Sequence, residues 1–120
     1  MISYFFVRAD SKFVCIRFAE ILYIEALKNY KRIVTERETY LVLITMKRME
    51  EELPKSSFCR VHRSFIISLD HIAFFDNESI RLREKTIPIS PHYKDSFFQK
   101  INIVQEVSDH EFSITQSSIL

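Results

Sequence analysis

The densest chemistry in the chain lies in five consecutive residues, Arg60-Val61-His62-Arg63-Ser64, set between Phe58 and the apolar Phe65-Ile66-Ile67. Two guanidinium groups, an imidazole and a hydroxyl make a set of donors suited to phosphate oxygens. An arginine can also bond the O6 and N7 atoms of guanine in a major groove. In an extended strand Val61 turns inward, with Phe65. Arg60, His62 and Ser64 then share one face, and Arg63 takes the other unless the chain reverses there. His62 has a second reading, as a hydrogen-bonded member of an internal network. Arg63 is the better placed of the two for a ligand.

Catalysis finds less support. The other histidines are His71, His92 and His110, and Cys59-x-x-His62 is the only close pair of soft ligands. A four-ligand zinc site normally shows two such pairs. A Cys59 or Ser64 nucleophile beside His62 would need a third, orienting group, and no G-x-S-x-G motif is present. The chain contains no glycine at all, which excludes a glycine-rich phosphate loop. The reading is of a non-enzyme that needs neither metal nor cofactor.

The 120 residues fit one domain, 47% hydrophobic and 28% charged, with eleven Phe and five Tyr to fill a core. No apolar run approaches the ~18 residues of a membrane span, and the first residues lack the pattern of a signal peptide. Both points favour the cytoplasm. Cys15 and Cys59, far apart and in unlike contexts, read as two buried reduced thiols. Net charge is +1, but it is unevenly spread. Residues 27–63 hold nine basic and five acidic side chains, and residues 81–100 hold five and two. Residues 64–80 and 101–120 are acidic. Two basic segments brought onto one face would attract phosphate.

These segments must be positioned by a mostly antiparallel β scaffold with two short helices. Residues 4–8 and 12–18 read as a hairpin, the second arm alternating Phe13, Cys15 and Arg17 against Val14, Ile16 and Phe18. Strands are expected over 20–26, 30–35 and 39–44. At Thr45 the period changes, and Met46, Met49 and Leu53 recur at helical spacing, with Thr45 as N-cap and Pro54 as stop. Residues 58–67 read as extended chain, followed by short strands over 69–75, 80–83 and 86–89. Ser90 and Pro91 open a last helix that turns Tyr93, Phe97, Phe98 and Ile101 inward. Without glycine, left-handed turn positions fall to Asp10, Asn29, Asp76 and Asn77. The domain is expected over residues 1–107, with a polar tail over 108–120.

Three stretches carry a resemblance. Ile21 to Tyr30 is similar to an "I-x-Y-I-E-A" entry followed by a polar turn and an aromatic residue. Phe58 to Ile67 is similar to "F-x-R-V-H-R-S-Y/F-I/V-V", and Ile87 to Tyr93 to a closing "I-P-V-S-R-x-Y". In this order and spacing, over residues 3–103, the chain resembles the LytTR-type DNA-binding domains. The resemblance implies a mainly β fold of several small antiparallel sheets stacked side by side with two short helices. It implies loops entering successive major grooves of duplex DNA at promoter direct repeats. It also implies an output role in a bacterial two-component response regulator, behind a receiver domain and a sensor histidine kinase, with a dimer forming on DNA.

Carried onto this chain, the contact positions are Lys28, Asn29, Tyr30 and Lys31 in one loop and Arg63, with His62 and Ser64, in a second. The third loop offers His92 and Lys94. Where relatives often have arginine, this chain has Pro91 or His92, which cannot make a bidentate guanine contact. The alternative is a non-catalytic protein-interaction module, or an inhibitor-type member that binds a partner instead of DNA.

Overall fold

The computed structural model describes residues 2–106; the expected tail over 108–120 lies outside them. A five-stranded antiparallel sheet, in the order β5-β4-β3-β7-β6, forms the centre. Its strands are β3 (Ile21–Ala26), β4 (Lys31–Thr35), β5 (Thr39–Val42), β6 (Phe58–His62) and β7 (Phe65–Ser68). One face carries the hairpin of β1 (Tyr4–Ala9) and β2 (Lys12–Arg17) together with helix α1 (Met46–Glu52). The other carries a three-stranded sheet of β8 (Phe74–Phe75), β9 (Ser79–Leu82) and β10 (Lys85–Pro88), with helix α2 (Pro91–Lys100). Strand and helix content follow the sequence pattern, and the division into several small antiparallel sheets is what the family resemblance implied.

Alternation explains the two cores. Ile24, Ile33, Ile66 and Phe58 face Val7, Ile16, Met46 and Met49. Their strand neighbours Tyr23, Ile67, Cys59 and Val61 face Ile80, Leu82, Ile87 and Phe97. Central strands β3 and β7 are thus covered on both sides, which is why they read as unbroken apolar runs. Phe97 is fully buried, and burying such a side chain contributes roughly 1.5–3 kcal/mol. Thr45 caps α1 as expected, its Oγ1 accepting from Arg48 N at 3.0 Å. At α2 the Ser90 side chain makes no capping bond; its carbonyl accepts from Tyr93 N instead.

Several expectations are corrected. Residues 58–67 do not run straight: β6 and β7 form a hairpin with a register shift between Arg60 and His62. Residues 69–75 are not one strand: Leu69–His71 form a 3-10 turn, and only Phe74–Phe75 lie in a strand. Cys15 is exposed, because its two-stranded sheet is covered on one face only; Cys59 is buried. Burial pushes the Cys59 thiol up, against an opposing pull from Lys100.

Left-handed backbone occurs among the described residues at Asp10, Ser11 and Arg83, not at Asn29, Asp76 or Asn77. Paired residues Ala9↔Lys12 and Leu82↔Lys85 leave two-residue turns, whose twist demands positive φ. Ala26↔Lys31 leaves four residues, a length commonly built on a type I turn that keeps φ negative. Asp76 shapes its turn through the side chain, with Oδ1 accepting from the N–H groups of Glu78 and Ser79. Those bonds favour the ionised form and lower its pKa.

Candidate nucleic-acid interface

Strand register fixes which turns share an end of the sheet. Ala26 pairs with Lys31 and Glu25 with Phe65, so the β3–β4 turn (27–30) and the β6–β7 turn (63–64) project from the same edge. The Ala26 N–H donates to Ser64 O at 2.8 Å, tying the two together. The third loop joins them from the other side of β6, where Ser90 N donates to Val61 O at 2.8 Å. Helix α2 then runs back along β6, and at its far end Lys100 Nζ donates to the carbonyls of Lys55 and Phe58. Its N-terminus, with His92, therefore stands beside the β6–β7 turn.

The side chains at this end divide into two groups. Lys28, Asn29, Tyr30, Arg63 and His92 are exposed, and Lys31 and Lys94 half-buried. The side chains of Lys28, Lys31, Arg63 and Lys94 make no hydrogen bond or ion pair among the described residues. The second group holds the turn. His62 Nδ1 accepts from Ser64 N at 3.0 Å, and the His62 ring sits edge-on to Phe65. That bond leaves the proton of a neutral imidazole on Nε2. The internal reading of His62 is therefore realised, with one nitrogen spoken for and the other still a possible donor.

Sequence reasoning missed the part played by Arg60. Its NH1 pairs with Glu50 at 3.0 Å, its Nε donates to His62 O at 3.3 Å, and its NH2 donates to Arg63 O. The guanidinium also lies 5.7 Å from the Tyr93 ring centre. One half-buried side chain thereby joins α1, the β6–β7 turn and α2, and it is spent inside the protein. The only available signal was its place between Cys59 and Val61, both buried. Cys59 and His62 are not brought together: the thiol contacts Arg60 O at 3.5 Å while the imidazole serves Ser64.

A β scaffold that presents three turns from one end, tipped with unpaired cations, is a class of binding domain rather than of pocket. The chain matches the LytTr DNA-binding domain family over residues 11–102, and it belongs to that family. It is 31% identical to the sensory transduction protein LytT of Bacillus anthracis over 90 residues, covering 70% of this chain and 37% of that one. The transcriptional regulatory protein YpdB of Escherichia coli K12 is 29% identical over 101 residues, covering 78% and 41%. The chain thus spans well under half the length of these relatives. The fold matches the LytTr DNA-binding domain of a Bacillus cereus response regulator with a TM-score of 0.69 at 25% identity, covering 83% of this chain and 96% of that one. No helix among the described residues is long and apolar enough to cross a membrane.

Proposed function

We propose that this chain binds duplex DNA in a sequence-dependent way by inserting its three turns into successive major grooves, and that it performs no catalysis. The observation that carries this reading is the pair of main-chain bonds, Ala26 to Ser64 and Ser90 to Val61, that gathers the three turns at one end. Arg63 is assigned to a base edge or phosphate, the stretch from Asn29 through Tyr30 to Lys31, with Lys28 beside it, to bases, and Lys94 to a phosphate. His62 Nε2 and Ser64 complete the second loop. His92 makes a single hydrogen bond where relatives often use arginine, so discrimination is weakest there.

The role this fits is the output half of a bacterial response regulator acting at promoters in the cytoplasm, with a receiver domain and a sensor kinase upstream of it in the signal. The domain extends over residues 1–107. The test is selection of bound sequences from a random duplex library, followed by titration of the consensus in increasing salt. A direct-repeat consensus is expected, with affinity falling by about 10³-fold or more between low and moderate salt if about six phosphates are contacted. Recovery of no consensus, or binding indifferent to salt, overturns the reading.

A further inference from the structure

The family match begins at Ser11, so strand β1 lies outside it. The outward face of the β1–β2 hairpin carries none of the residues assigned to the interface above, its nearest approach being Arg8, which lines a shallow depression with Tyr30. That face carries Tyr4, Phe6 and Arg8 from one strand and Phe13, Cys15 and Arg17 from the other, all exposed. Phe6 is 59% and Phe13 66% exposed. Cross-strand register arranges the six in three rows: Tyr4 with Arg17, Phe6 with Cys15, and Arg8 with Phe13. Arg8 lies 5.1 Å from the Phe13 ring centre and Arg17 5.9 Å from that of Tyr4. The two cations occupy one diagonal of the grid and two rings the other.

We infer that this face binds the same face of a second copy of the chain. The grid is self-complementary under a two-fold rotation. An axis along the strands sets Tyr4 on the second copy's Arg17 and Phe13 on its Arg8. An axis across the strands sets Tyr4 on its Arg8 and Phe13 on its Arg17. Either way each guanidinium meets a ring and none meets a guanidinium. A ring covered on one side by its own arginine receives the other copy's on the open side. Six residues of a two-stranded sheet present less than the ~800 Å² per partner of a standard interface, so the dimer is a weak one. Facing sheets pack about 10 Å apart with strands about 4.8 Å apart. The two Cys15 thiols then fall within reach of a short bismaleimide.

The test is sedimentation equilibrium of the whole chain without DNA, from micromolar to millimolar concentration, with bismaleimide cross-linking alongside. Wild type is expected to show a monomer–dimer equilibrium and a cross-linked dimer that Cys15→Ser abolishes. Phe13→Ser is expected to weaken association by about tenfold or more through loss of a ring–cation pair on each side of the axis, with no new carboxylate set opposite a guanidinium. Arg8→Glu carries the same expectation and leaves every ring in place, so a misfolded Phe13 variant does not stall the test. A wild type that stays monomeric at millimolar concentration overturns the inference. So does a dimer undiminished in both variants, or one that gives no Cys15 product.

Discussion

The two ends of the central sheet use the same residue types to opposite effect. At the end away from the three turns, charges are paired. Arg83 meets Glu36 at 2.9 Å, Arg37 meets Glu20 at 3.2 Å, and His71 Nδ1 lies 3.9 Å from Glu36. The Thr35 hydroxyl there donates to Glu38 O and accepts from Glu38 N. At the turn end Lys28, Lys31, Arg63 and Lys94 have no such partners among the described residues; the arginines engaged there are Arg32, paired with Glu25 at 3.2 Å, and the inward-facing Arg60. Net charge cannot register this difference. A basic residue is available to a ligand only where the fold has not already given it a carboxylate.

The contrast can be broken in graded steps. The largest effect is expected where both ends share support: Phe97→Ala should cost about 3–5 kcal/mol of stability in urea denaturation and impair everything the scaffold holds. Next, Arg60→Ala removes a carboxylate pair, two carbonyl contacts and the Tyr93 stack. It should cost roughly 2 kcal/mol of stability and also weaken DNA binding, although the side chain points inward. Retained affinity would mean that the β6–β7 turn holds its own shape. Arg63→Ala should do the reverse, weakening binding by about 1–3 kcal/mol in fluorescence anisotropy while leaving stability within about 0.5 kcal/mol. The smallest effect belongs to the paired end. Arg83→Ala breaks an exposed ion pair of roughly 0–1 kcal/mol and should leave anisotropy titrations unchanged. Equal losses of affinity from Arg63→Ala and Arg83→Ala would erase the distinction between the ends.

Much of this was legible in the chain itself. Alternation in residues 12–18 separated Val14 and Ile16 from Phe13, Cys15 and Arg17 without saying which set faces inward, and the fold buries the first; helical spacing after Thr45 located α1 with its cap. The β6–β7 hairpin was hidden, because strands buried on both faces leave no alternation to read. Its turn also carries none of the Gly or Asn that normally mark a reversal. His62 and Arg60 shape it instead, through bonds visible only once the chain is folded. The exposure of Cys15 was misjudged for a related reason: a cysteine reads as apolar, while its row partner Phe6 faces solvent as well. Left-handed positions fell on Ser11 and Arg83 because loop length, not side-chain preference, decided where they were needed.

The bonds that gather the three turns run from main chain to main chain. A substitution at a tip cannot remove such a bond, since every residue but proline offers the same amide and carbonyl. The gauge between the turns is therefore set apart from the lettering they carry. On the proposed mode of binding, new residues at 29, 63 or 92 would change which bases are preferred without altering how far apart those bases must lie.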